Sequence, residues 1–145
     1  MSDPRMTDDE NGFMERQAAA LLNAVGDTLQ RVPPALPEPP ERKLALLLID
    51  GVMHEEAAAT RAAVQTFHRD RITAAAAEIG STVVSTGARI WKLYDHGFVI
   101  KTASVTFAFD LVRGVHVAGG ALAVDDAVME SLADAWTSCS SAIAM

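Results

Sequence analysis

The sequence predicts an α+β protein, and two observations lead to that class. Up to Gly80, apolar residues recur at steps of three and four, which is the period of an α-helix. After Ser81 the chain is rich in β-branched and aromatic residues separated by short turns, which is typical of antiparallel strands. With 145 residues, the chain is long enough to form one modest domain with a packed core.

The first helical segment is predicted over residues 1–31, in the sequence "TDDENGFMERQAAALLNAVGDTLQR". Acidic residues precede its apolar stripe, as expected for the start of a helix. The stripe consists of Met14, Ala18, Leu21, Leu22, Val25 and Leu29. Residues 32–41 follow as a proline-rich linker that holds five of the six prolines. Because proline fixes φ and removes a backbone donor, we expect an extended spacer rather than a proline-recognition ligand.

A helical extension is predicted over residues 42–80, with Gly80 as its stop and Gly51 as the point where it bends or splits. Alanine-rich stretches favour the helix through intrinsic propensity. Its apolar positions include Leu44, Leu47, Leu48, Val52, Val64, Phe67, Ile72 and Ile79.

Three antiparallel strands are predicted next, in "ARIWKLY", "FVIKT" and "ASVTFAFDLV". In the last strand, alternation places Val105, Phe107, Phe109 and Leu111 on one face and Thr106, Ala108 and Asp110 on the other. The stretch "RGVHVAGGALAVDD" is predicted to be a loop, and "DDAVMESLADA" a short helix capped by Asp125 or Asp126. The aromatic residues are expected in the core; they are Trp91, Tyr94, Phe98, Phe107 and Phe109.

Composition limits the partners and the compartment. A net charge of -7 argues against nucleic acid or an anionic membrane as the main partner. The single cysteine allows no internal disulfide, which fits a reducing compartment. The acidic N-terminus lacks an apolar signal core, and the longest strongly apolar run, Leu44–Ile49, is too short to cross a bilayer. We therefore expect a soluble cytoplasmic protein.

The stretch "IWKLYDHGFVIKTASVTFAFDLVRG" resembles the opening strands of metallo-β-lactamase-fold hydrolases, and the helices before it resemble the helical extension that some of these proteins carry. The resemblance implies that residues 81–135 are the N-terminal strands and first helix of an incomplete αββα sandwich. It further implies that Asp110 matches the first motif residue of the family, which supports the metal ligands in complete relatives.

The next family element, a buried strand leading into the metal-binding loop "S-H-x-H-x-D-H", is missing from the sequence. That loop holds zinc or a similar divalent metal, which converts bound water into hydroxide near neutral pH. Residues 136–145 do not continue the pattern, so they are predicted to be an aberrant tail. If one base was lost just before the codon of Trp136, the restored frame encodes an obligatory Asp, four apolar residues and two codons spaced for His. With suitable free bases it reads Leu-Asp-Leu-Val-Leu-Ile-Ser-His-Arg-His, and we therefore expect a frameshifted, truncated chain.

No metal ligand or catalytic residue is predicted in this chain. Its histidines are His54, His68, His96 and His116, and no two of them have the H-x-H or H-x-x-x-H spacing of metal ligands. His54 and His68 are expected to be solvated helix residues on one face, and His96 and His116 ordinary turn or loop residues. The carboxylates of the last helix are expected to form a cap and an acidic face; they are Asp125, Asp126, Glu130 and Asp134. Cys139 has no histidine at a spacing that would make it a nucleophile.

Two functional interpretations remain open. In the first, the chain is the N-terminal fragment of a metal-dependent hydrolase whose complete parent uses metal-bound hydroxide on an ester, lactone, amide or phosphoester bond of a small-molecule substrate. The fragment itself would carry no cofactor and would be inactive. In the second, the chain is a small non-catalytic α+β module that binds another protein.

Overall fold

The computed structural model describes residues 8–55, 57–94, 96–111, 116–117, 120–121 and 126–137. Its α+β class agrees with the prediction from the sequence. The elements in chain order are helix α1 (Asp8–Arg31), helix α2 (Pro40–Met53), a 3-10 turn (Ala58–Thr60), helix α3 (Ala62–Ser81), strands β1 (Ala88–Lys92), β2 (Phe98–Thr102), β3 (Thr106–Phe109), β4 (His116–Val117) and β5 (Gly120–Ala121), and helix α4 (Asp126–Thr137).

The described residues divide into two compact units. The first contains the residues up to His68 together with β4 and β5. The second contains the part of α3 from Arg69, the β1–β3 sheet and α4. Helix α3 contributes residues to both units.

Helices α1 and α2 form the hairpin of the first unit. Val25 and Leu29 of α1 pack against Ala45 of α2, with Leu21 and Ile49 at the edge of this small core. The Arg42 guanidinium donates to the carbonyls of Leu29 and Val32, at 3.3 and 3.0 Å, so a cation closes the C-terminus of α1. The predicted stripe of α1 is thereby confirmed over its C-terminal half, whereas Met14 is exposed.

Helix α2 does not bury the leucines among its apolar positions. Ala45 and Met53 are the buried residues of this helix, whereas Leu44, Leu47 and Leu48 are exposed. The reason is that α2 offers apolar residues on two opposite faces, and α1 covers the face that carries the small Ala45. Pro40 starts the helix at its first position, where the missing N–H costs nothing.

The helical extension is split, although not at Gly51, which lies inside α2. The helix ends at Met53, and α3 begins only at Ala62. Two carboxylates stabilise this break. Glu55 binds the Arg61 guanidinium through both oxygens, and Glu15 of α1 accepts a 2.6 Å hydrogen bond from the Ala63 amide in the first turn of α3. Of the apolar positions in the second half of this region, Val64, Ile72 and Ile79 of α3 are buried.

The predicted strands of the second unit are confirmed as an antiparallel sheet in the order β1-β2-β3. Trp91 pairs with Val99, which pairs with Ala108, so these three lie on one face of the sheet, hereafter the inner face. Trp91 and Val99 join the core with residues of α3 and α4; the buried members from the helices are Ile72, Ile79 and Leu132. Lys101 donates to the carbonyl of Ile79 at 2.8 Å and thereby binds the C-terminal end of α3.

The opposite face of the sheet, hereafter the outer face, is apolar and exposed. Ile90 pairs with Ile100, which pairs with Phe107, and Phe98 pairs with Phe109. The exposed fractions of Ile90, Phe107 and Phe109 are 62%, 45% and 52%. The alternation predicted for β3 is therefore correct from Thr106 to Phe109, but Leu111 packs against the inner core instead of sharing the face of Phe107. The expectation that Phe107 and Phe109 lie in the core is wrong. Of the aromatic residues predicted there, Trp91 is buried, while Tyr94 and Phe98 are half-buried.

The loop predicted before the last helix contains a short hairpin instead. His116 of β4 pairs with Ala121 of β5, and Val117 pairs with Gly120. Helix α4 continues to Thr137, two residues beyond the predicted end of the family-like region.

Candidate functional site

The candidate site lies at the end of the sheet where the β1–β2 turn meets the end of β3. The turn is closed by two hydrogen bonds, from the Leu93 amide to the Gly97 carbonyl at 2.8 Å and from the Gly97 amide to the Tyr94 carbonyl at 3.0 Å. A Cβ at position 97 would lie 3.0 Å from the Tyr94 carbonyl oxygen and 3.1 Å from that of Asp110. Only glycine fits there without a shift, so the backbone of Asp110 is fixed against the turn.

Asp110 follows β3 with a φ of 46°, which is the left-handed region. Among residues with a side chain, aspartate is one of the few that adopt this conformation readily. Its conformation ends the alternation of β3: Thr106 is buried and Ala108 half-buried on the inner face, whereas Asp110 is exposed. The part that Asp110 plays in supporting metal ligands stays a prediction.

His96 is exposed in the same turn as Gly97, as expected of a turn residue. Among the described residues, this end of the sheet carries the imidazole of His96 and the carboxylate of Asp110. Within the described ranges, no three side chains of histidine, cysteine, aspartate or glutamate come together as a metal ion would require. These residues do not supply the three or four ligands that zinc takes.

The structure separates His54 from His68, which were expected to share a solvated helix face. His54 directly follows α2, and its exposed ring lies 3.2 Å from an Asp50 carboxylate oxygen. His68 lies within α3 and is only 4% exposed. Burial lowers the pKa of His68 below its ordinary value, because the apolar surroundings disfavour the imidazolium. The expectation of a solvated His68 is therefore wrong.

The buried ion pair at the helix break was not identified from the sequence. The Arg61 side chain is almost fully buried, and its bidentate contact with Glu55 raises the pKa of the guanidinium. Glu15 adds a second negative charge nearby. Arg61 follows Glu55 by six residues within an alanine-rich pattern that predicts one helix. The sequence gives no sign of the ion pair, because the two side chains meet only where the chain leaves the helix between them.

Two of the remaining candidate residues are described, and both lie on α4. Asp126 and Glu130 are exposed on α4, in agreement with the expected acidic face. Asp125 and Cys139 lie outside the described residues, as do the side chains of Asp134 and His116.

Comparisons with known proteins found no relative of this chain. No protein-family model matches the sequence, and neither a curated protein nor a solved structure resembles it significantly. None of the helices in the described ranges combines the length and the apolar character needed to cross a membrane.

Proposed function

We propose that this chain is the N-terminal part of a metal-dependent hydrolase with the metallo-β-lactamase fold, and that it does not catalyse hydrolysis by itself. The observation that carries the proposal is the contrast between the two faces of the β1–β3 sheet. Helices cover the inner face, whereas the outer face exposes isoleucine and phenylalanine. An αββα sandwich consists of two such layers that pack through their apolar sheet faces.

The second layer would bury the outer face. The outer face is rich in aromatic side chains. The Phe107 and Phe109 rings stack with centroids 6.5 Å apart, and the Lys92 ammonium lies 4.7 Å from the centre of the Phe98 ring. Contiguous exposed apolar surface of this kind is unusual on a complete monomer and is expected where another element packs.

The metal would come with the missing part. Asp110 and His96 do not make a zinc site, so we assign no catalytic step to this chain. In the complete parent, zinc or a similar divalent ion would supply the nucleophilic hydroxide, and Asp110 would hold a metal ligand in place through a hydrogen bond. The substrate would be a small molecule with an ester, lactone, amide or phosphoester bond, and the proposed location is the cytoplasm.

The decisive experiment is on the DNA. Sequencing the genomic region beyond the Trp136 codon should reveal an H-x-H-x-D-H sequence in the adjacent frame. The frame-restored protein should then bind one or two zinc ions per chain by elemental analysis and hydrolyse a panel of nitrophenyl phosphodiester, lactone and β-lactam substrates. The 145-residue chain is the matched control and should do neither. An adjacent frame without that motif would overturn the proposal.

The exposed outer face also favours a second candidate, a non-catalytic module that binds another protein through this sheet. The two candidates differ in solution. A sheet that lacks its second layer is expected to aggregate. A complete module should unfold in a single cooperative transition and should not aggregate through the sheet.

A further inference from the structure

Helix α2 has a second apolar face, which is distinct from the face that packs on α1. Leu44 and Leu47 are 58% and 60% exposed. The residues on this face follow one another at steps of three, one and three, so they form a single strip along the helix. We call it the leucine stripe; it consists of Leu44, Leu47, Leu48 and Gly51.

Gly51, which has no side chain, leaves a gap at the C-terminal end of the leucine stripe. Apart from its chain neighbours and the nearby backbone of α2, no heavy atom of the described residues lies within 4 Å of the place where a Cβ of Gly51 would be. The stripe therefore projects large leucine side chains at its N-terminal end and leaves a shallow gap at its C-terminal end, seven residues after Leu44. A partner that offers the same residues in the opposite direction would fit both ends.

The charged residues beside the leucine stripe also differ between its two ends. Lys43 and Asp50 are seven residues apart, so they lie on the same flank of the helix, and both are exposed. The flank is positive near the start of α2 and negative near its end. Asp50 lies 3.2 Å from the ring of His54, and its side chain is still 69% exposed, so a second cation can approach it.

We propose that the leucine stripe binds the leucine stripe of a second copy of this chain, with the two α2 helices antiparallel around a two-fold axis. In that arrangement identical flanks face each other, so Lys43 of each copy meets Asp50 of the other, and two ion pairs form. Leu44 of each copy packs over Gly51 of the other, and Leu47 and Leu48 fill the centre. A parallel pair would place Lys43 against Leu48 and would form neither ion pair.

The stripe can be tested by sedimentation velocity on the full chain at several concentrations. L47Q should weaken the dimer at least about tenfold, because a buried leucine in the centre of the interface is replaced by an amide. L36Q is the matched control, since Leu36 is fully exposed in the proline-rich linker and should leave dimerisation unchanged. A wild-type chain that stays monomeric at several hundred micromolar would overturn the proposal.

The orientation can be tested by reversing the charges. K43D and D50K should each weaken the dimer about tenfold, because both ion pairs become contacts between like charges. The double variant K43D/D50K restores both pairs and should recover wild-type affinity. H54Q controls for the contact between His54 and Asp50 and should have no effect. A double variant as weak as the single variants would exclude the antiparallel pair.

The same measurements in an F107T/F109T background remove association through the outer face of the sheet. The dimer should persist there, because α2 is unchanged. Loss of association in this background would overturn the leucine-stripe interface while leaving the proposed hydrolase ancestry untouched.

Discussion

The two units of this protein differ in what lies in their interiors. The first unit buries charged and titratable groups, Arg61 and His68, beside a small helical core. The second unit has an apolar core that includes Trp91, and the buried polar residue among those described there is the uncharged Thr106. The stability of the first unit should therefore depend on ion pairing and pH, and that of the second on packing.

The largest effect is expected from the core of the second unit. W91A should lower the free energy of unfolding by about 3–5 kcal/mol, because it removes a buried aromatic side chain and leaves a cavity. F107A on the outer face is the matched control and should cost about 1 kcal/mol or less, since Phe107 is already half in water. Urea unfolding measures both variants. Equal losses for the two would mean that the outer face is covered after all.

The ion pair of the first unit should give the next largest effect. R61A should cost about 3 kcal/mol, because it leaves Glu55 and Glu15 without their buried cation. R69A is the control, since Arg69 is exposed and its contact with Asp70 is 3.7 Å long. Residue-resolved amide exchange should show faster exchange in α2 and at the start of α3. A loss confined to the sheet would contradict the assignment.

A smaller loss is expected at the β1–β2 turn. G97A should destabilise the second unit by about 1–3 kcal/mol, since its Cβ would press on two backbone carbonyl oxygens. G80A is the helical control with open space around the new methyl group, and it should instead stabilise α3 by about 0.5–1 kcal/mol. Thermal unfolding distinguishes the two signs. A neutral G97A would show that the turn can shift away from Asp110.

The smallest expected effect is a difference between the two units in how the free energy of unfolding depends on pH. The folded-state pKa of His68 is lowered from 6.5, so below that value the unfolded chain binds a proton that the folded chain excludes. The free energy of unfolding of the first unit should fall as the pH drops through 6.5 and level off below the folded-state pKa. H68Q should flatten this slope, whereas H54Q at an exposed position should keep it. A slope of equal size in the second unit would contradict the prediction.

Much of the fold follows from local patterns. The three strands, the turn signals between them and the C-terminal end of α1 agree with the prediction, because alternation, glycine and proline act over a few positions. Which face is buried does not follow in the same way. Thr106 is 1% exposed while its neighbour Phe107 is 45% exposed, although apolarity alone predicts the reverse.

The candidate site was only partly predictable. Asp110 and the glycine turn follow from a sequence resemblance, but the contact between the Gly97 position and the Asp110 carbonyl needs β2 and β3 in register. The Arg61–Glu55 pair and the burial of His68 needed the helix break between Met53 and Ala62.

The sequence by itself determined the α+β class, the order of the elements and the alternation within the strands, since period and turn chemistry are local properties. Only the tertiary structure decided which apolar faces became interior. Two elements of this chain, α2 and the β1–β3 sheet, carry apolar residues on both faces, and a helix or sheet can pack only where a neighbour is present. Ala45 is buried because α1 packs on its side of α2, and Trp91 is buried because α3 and α4 pack on its side of the sheet. The leucine stripe and the outer face of the sheet remain exposed.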